Sequence, residues 1–264
     1  MDRIYVEHKS GMQSCDTSIL AKTLEMCTCN GRSLCSLTIS NSNINDDILR
    51  MTLAGLHYNN VRNHLIHLDV SHNKITTNGL RLLTSYFLDE NKSAADCDNE
   101  KKMEKGANKD ESVLVTFNIA DNLIHSEGGR NLGRLLRTNK SLVSINMRLN
   151  NLNDEGGVMV IEGLKSNSTL KHLNLASNCL GSKSIALLGT ILLLKNKDSG
   201  RVTSRLESID LSSNETSDDD LKKLALSVQE NPFLVSLDIR RNHILSSRLK
   251  EECQYGKEIV QTCS

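Results

Sequence analysis

Between positions 141 and 192 the chain repeats one order of apolar residues. Leu142, Ile145, Met147 and Leu152, with Asn150 among them, return at the same spacing as Leu170, Leu173, Leu175 and Leu180, with Asn178. The full spacing, L-x-x-L-x-L-x-x-N-x-L, starts at Leu34, Leu65, Leu114, Leu142, Leu170, Leu206 and Leu234, at intervals of 31, 49, 28, 28, 36 and 28. Three intervals of 28 define the period. Early in each unit the apolar positions alternate: Leu68 and Val70, Phe117 and Ile119, Leu173 and Leu175, Ile209 and Leu211, Leu237 and Ile239. Alternation of this kind predicts a strand with one buried face. After the Asn the spacing changes to three and four, as in Gly79-Leu80-Leu83-Phe87, Gly128-Leu132-Leu135-Leu136, Gly156-Val160-Leu164 and Leu188-Leu192, which predicts an amphipathic helix.

This is the leucine-rich repeat pattern, and a strand plus a full helix within each period is its ribonuclease-inhibitor type. The expected fold is an α/β solenoid, or horseshoe, of about seven repeats, with parallel strands on the concave face and helices on the convex face. A single unit cannot bury its leucines alone, so stacking supplies the core. Residues 1–33 read as an N-terminal segment with a partial capping repeat, 34–244 as the repeats, and 245–264 as a polar helical cap in which Leu245, Leu249, Cys253 and Ile259 face the last coil. Within 1–33, Asp16 is a plausible N-cap for a helix over 16–29. Counting back one period from Leu34 places the start of a repeat near Val6, but no repeat is legible there, and the first strand is expected to be missing or degenerate. A partial opening unit suggests a cap or a chain truncated at its start.

Two insertions break the period. Residues 91–112 mix five Lys with six Asp or Glu and hold no aromatic or branched aliphatic side chain, which predicts a disordered loop. Residues 195–205 form a basic insertion, with Lys195, Lys197, Arg201 and Arg205 against Asp198, leaving from the same edge of the solenoid.

Asn73, Asn122, Asn150, Asn178, Asn214 and Asn242 stand where each strand turns toward its helix. A side-chain amide there can bond backbone groups that the turn leaves unpaired, and these residues form an expected structural ladder. The first repeat has Ser42 instead, a weaker version of the same bond, so the N-terminal edge is expected to be looser. Gly79, Gly128 and Gly156 read as positions where neighbouring helices approach closely.

Composition narrows the functional classes. Lys plus Arg and Asp plus Glu both number 32, so no net field draws the whole molecule to nucleic acid or an anionic membrane. No apolar run reaches membrane-spanning length. The eight Cys lack the paired spacing of a zinc site and read as reduced thiols of a cytosolic protein, with Cys27 and Cys29 at a helix end. No phosphate loop, zinc-protease motif or nucleophile elbow occurs, and no cofactor, metal or small-molecule substrate is expected.

The expected site is the concave face, onto which residues two, four, six and seven positions after each starting Leu project. The partner-binding candidates are His67, Asp69, Asn118, Asn146, Arg148, His172, Asn174, Asp210, Asp238, Arg240 and Arg241. His67 with Asp69, or His172 with a nearby Ser, makes a hydrolytic pair on paper. The recurrence of Asp or Asn at one position reads better as a ladder of short polar side chains. Arg148, Arg240 and Arg241 interrupt columns of Ser and Ala and suit bidentate contact with a carboxylate, either on a partner or on Asp121, Asp210 or Asp238.

The run INMRLNNLNDEGG, followed by LKSNSTLKHLNLASN and closed by LVSLDIRRNHI, resembles the repeat region of the dynein regulatory complex subunit 5 (T-complex-associated testis-expressed) family. The R-L-N-x-L-x-D-E-G-G core is its most specific part, and the resemblance runs from Leu65 to about Ile244. It implies a non-catalytic subunit of the nexin-dynein regulatory complex in the axoneme of motile cilia and flagella, with other complex subunits and axonemal microtubule-associated proteins as partners. The chain departs from that family in lacking the long region before the repeats and in carrying the 91–112 insertion. Two other readings stay open. One is a regulator similar to the Ran GTPase-activating protein, although that family ends in an acidic tail and this chain ends in EIVQTCS. The other is a binding module of the ribonuclease-inhibitor or innate-receptor kind.

Overall fold

The computed structural model describes residues 5–7, 34–58, 64–88, 113–195, 200, 202–242 and 258–260. Among them, nine three-residue strands form one parallel sheet in chain order: β1 (Tyr5–Glu7), β2 (Ser36–Thr38), β3 (His67–Asp69), β4 (Thr116–Asn118), β5 (Ser144–Asn146), β6 (His172–Asn174), β7 (Ser208–Asp210), β8 (Ser236–Asp238) and β9 (Glu258–Val260). Each strand from β2 to β7 leads into a helix: α1 (Asp46–Tyr58), α2 (Thr77–Leu88), α3 (His125–Thr138), α4 (Asn153–Gly163), α5 (Ser182–Leu192) and α6 (Asp218–Glu230). A short turn of tighter helix, Leu164–Ser166, extends α4.

The repeat pattern becomes a core through register. Leu37, Leu68, Phe117, Ile145, Leu173, Ile209 and Leu237 pair in sequence across the middle of the sheet, and all are buried. The seven starting leucines are buried as well, and both rows join the inner faces of the helices in one continuous apolar cluster. Each apolar residue completes its burial only through the coils on either side, as a stacked array requires.

The outermost strands differ from the sequence expectation. The first strand, expected to be missing, exists: β1 pairs with β2, Val6 opposite Leu37. Tyr5 stands as far before Ser36 as Ser36 stands before His67, so the first units are longer than the common period and counting back by that period misplaces the strand. At the other end, Glu258–Val260 pairs as β9 with β8 where a helical cap was expected. Ile259 and Val260 are β-branched, and the free edge of β8 offers backbone groups that a further strand satisfies. The rest of 245–264, the expected helix over 16–29 with Cys27 and Cys29, and the 91–112 insertion lie outside the described residues. The ends of the 195–205 insertion are tied together, with Lys195 opposite Val202 in an antiparallel bridge and the Thr203 N–H bonded to the Leu194 carbonyl at 2.8 Å.

On the convex side the glycines set the helix spacing. A Cβ at Gly129 would lie 2.4 Å from the Gly156 carbonyl oxygen, at Gly133 2.1 Å from that of Met159, and at Gly163 2.3 Å from that of Gly133. α3 and α4 therefore touch backbone to backbone. Gly128 meets Leu80 of α2, and Gly79 meets Asp46 of α1, so the close-approach reading of these glycines holds.

Candidate functional site

Two rows of side chains cross the concave face in strict register. The first runs Ser36, His67, Thr116, Ser144, His172, Ser208, Ser236, and the second Thr38, Asp69, Asn118, Asn146, Asn174, Asp210, Asp238. His67 and His172 are exposed, and the second row is half-buried.

The second row has a local structural duty. In six successive repeats the carboxylate or amide oxygen accepts the backbone N–H two residues on: Ser71 to Asp69 at 2.9 Å, Ala120 to Asn118 at 3.2 Å, Arg148 to Asn146 at 3.1 Å, Ala176 to Asn174 at 2.9 Å, Ser212 to Asp210 at 2.9 Å and Arg240 to Asp238 at 3.0 Å. This side-chain turn ends each strand. The next residue then enters the left-handed region in all seven repeats: Asn41, His72, Asp121, Leu149, Ser177, Ser213 and Arg241 have φ between 51° and 56°. Leu149 is the apolar exception in that column, and it is 45% exposed.

Behind the turn stands the Asn ladder. The Asn178 amide donates to the carbonyls of Leu175 and Ala176 in its own coil and of Met147 in the preceding one. Its oxygen accepts the N–H groups of Asn150 and Leu152. Asn73 and Asn214 bond backward in the same way. Asn122 and Asn242 also reach back, to Val70 and Leu211. Asn150 donates to Ile119, Met147 and Arg148, but its buried oxygen accepts nothing. Ser42 only reaches Ser40 within its own coil, at 3.0 Å.

The charged candidates divide by partner. His67 Nδ1 lies 2.7 Å from the Thr116 hydroxyl, while Asp69 accepts from the Ser71 hydroxyl and from Asn118 Nδ2, so the paper dyad of His67 with Asp69 is not assembled. His72 Nδ1 meets the Asp121 carboxylate at 2.6 Å. Arg240 holds Asp238 through Nε and Nη2, and that carboxylate, with Asp210 adding less, raises the arginine above its usual range. On the rim, Lys171 pairs with Glu207 at 2.8 Å, and this bond holds the glutamate below its usual value. Arg241 is exposed in the left-handed turn. Arg148 is exposed, and its guanidinium has no partner among the described residues. Cys35 and Cys179 form no disulfide among the described residues, and burial followed by the Glu215 carboxylate pushes the Cys179 thiol up, away from the reactive thiolate.

Several linking residues escaped the sequence reading. Asn139, Asn167 and Asn231, three residues before a starting Leu, form a second column at the return turn: each oxygen accepts the N–H of the starting Leu, and Asn167 and Asn231 donate back to Leu136 and Leu192. The spacing N-x-x-L was the available signal. Asp154 of α4 caps the neighbouring helix α5, accepting the N–H groups of Gly181, Lys183 and Ser184. Burial alone would raise this carboxyl, but the bonds from Ser184, Lys183 and Gly181 outweigh it and hold it below the usual range. Ser217 and Asp220 close a capping box on α6.

The comparisons agree with this architecture. The leucine-rich repeat family model matches residues 62–83, 138–160 and 166–189. Among solved structures, the chain is similar to one in the crystal structure of the Rad7 and Elc1 complex in yeast, at 15% identity and a TM-score of 0.54. The match covers 91% of this chain and 57% of that one, so this chain spans little more than half the length of its structural neighbour. No curated protein matches the sequence. The chain carries leucine-rich repeats, and its fold is the α/β solenoid that such repeats build.

Proposed function

We propose that this protein is a non-catalytic, protein-binding scaffold, and that its setting is the nexin-dynein regulatory complex of the axoneme in motile cilia and flagella. The observation that carries the scaffold reading is the concave sheet itself. The seven parallel strands β2 to β8, spanning roughly 30 Å at ~4.8 Å per step, present two registered rows of polar side chains on a rigid support. Leucine-rich repeats offer such a surface to other proteins, and the structural neighbour was solved within a protein complex. The axonemal setting is supported by the R-L-N-x-L-x-D-E-G-G core, which begins just after β5 and runs through the left-handed turn at Leu149 into the start of α4.

Fractionation of cells that build motile cilia tests the setting. The tagged chain is expected in salt-resistant axonemes, and its loss should alter the waveform while cilia keep normal length. Uniform cytosolic distribution with no axonemal fraction would remove the axonemal assignment and leave the scaffold reading with other partners.

A further inference from the structure

The middle of the concave face is built from donors. Asn146 and Asn174 are neighbours in the second row, on β5 and β6. Their side-chain oxygens are both taken by backbone N–H groups, those of Arg148 and Ala176. What each amide has left is its Nδ2 group, which has no partner among the described residues. Asn118, one strand earlier, spends its Nδ2 on Asp69 at 2.9 Å, so the pair at 146 and 174 is a local exception. Arg148 belongs to the same patch. The backbone ladder sets it between Ala120 and Ala176, two small residues, and its guanidinium is unpaired among the described residues. Arg240, at the same place in a later repeat, is neutralised by a carboxylate two residues before it; the corresponding residue before Arg148 is Asn146.

The surrounding carboxylates sharpen this picture. Asp69 is taken up by Ser71 and Asn118, Asp121 by His72, and Glu207 by Lys171. Asp210 stands beside Asn174 and closes the patch on the β7 side. A guanidinium and two amide Nδ2 donors, with each amide oxygen already held against the backbone by one N–H, match the lone pairs of one carboxylate. The flanking Asp69 and Asp210 repel a second anion along the same row, which confines the site to a single acidic group.

We propose that Arg148, Asn146 and Asn174 form a recognition site for one carboxylate side chain, Asp or Glu, in an extended segment of a partner protein laid across the concave face. Leu149, exposed in the adjacent turn, offers an apolar contact to the residue beside that carboxylate. This inference rests on the scaffold reading and adds the chemistry of the partner.

The test uses the full chain and a short peptide of Gly, Ser and Ala with one central Glu, beside the same peptide with Gln or with phosphoserine. The Glu peptide is expected to shift the NMR signals of the Arg148 side-chain N–H and of both Nδ2 groups, and the Gln peptide to leave them unmoved. Arg148→Lys, which keeps charge but loses the planar fork, should weaken the Glu peptide by about tenfold. Asn146→Ala with Asn174→Ala should weaken it further, while Arg240→Ala should not. Equal shifts with Glu and Gln, or a response to phosphoserine without one to Glu, would overturn the carboxylate assignment. A protein partner, once identified, separates the two levels. If Ser208→Trp blocks that partner while Arg148→Ala leaves its affinity within about twofold, the carboxylate site fails and the scaffold reading stands; if Ser208→Trp also has no effect, the concave reading fails with it.

Discussion

The two faces of this solenoid solve opposite problems with small residues. On the convex side, Gly129, Gly133, Gly156 and Gly163 bring α3 and α4 into backbone contact, leaving no room for even a methyl group. On the concave side, Ser144, Ser208 and Ser236 leave the strands open, and the larger groups among them find partners on the sheet or face solvent. The same small side chain thus closes one surface and opens the other. Substitutions should separate accordingly, with stability lost on the convex side and binding lost on the concave side.

The sharpest break in that contrast is Gly133→Val. Its Cβ would overlap the Met159 carbonyl and force α3 from α4, so thermal or denaturant unfolding should show a loss of about 3 kcal/mol or more. Gly55 on α1 is the control. Nothing lies within 4 Å of a Cβ there, so Gly55→Ala should instead stabilise by about 0.5–1 kcal/mol through helix propensity.

Between the faces, the Asn ladder predicts graded costs. Asn178→Leu removes three bonds to carbonyls that each keep another donor and leaves the Asn150 and Leu152 N–H groups without their acceptor, whereas Asn150→Leu removes three such carbonyl bonds and orphans no N–H. Both should lose about 1–3 kcal/mol, and a loss at Asn150 larger than at Asn178 would contradict the bond count. Asp154→Ala removes the cap of α5 and should cost about 1 kcal/mol near neutral pH. Its carboxyl is lower in the folded chain than the usual ~3.9 of a free aspartate, so its contribution is complete above that value. As pH falls through the lowered folded value the contribution disappears, and wild type and Asp154→Ala should converge in acid unfolding curves.

Much of this was legible one repeat at a time. The starting leucines, the alternating strand residues and the six ladder Asn stand at fixed spacings because each repeat must present the same inner face. The contacts between repeats were less legible. Asp154 caps the helix of the next repeat, and nothing in either helix alone names the partner. The donor patch at Asn146 and Asn174 depends on which oxygens the backbone has already claimed, a fact of turn geometry rather than of composition. β1 and β9 escaped for another reason: an end strand needs only backbone pairing to a free edge, so Val6 and Ile259 carry no leucine pattern to read.

The division of labour between the faces is tested most directly by placing one bulky side chain on each. Ser144→Trp stands in the first concave row, and Leu226→Trp replaces a residue 63% exposed on the outer side of α6. With unfolding curves confirming that both proteins are folded, recovery of bound partner proteins by each tagged chain is compared with wild type. The account predicts that Ser144→Trp loses those partners by at least about tenfold and Leu226→Trp keeps them. Full recovery by Ser144→Trp together with loss by Leu226→Trp would place binding on the helices and contradict it.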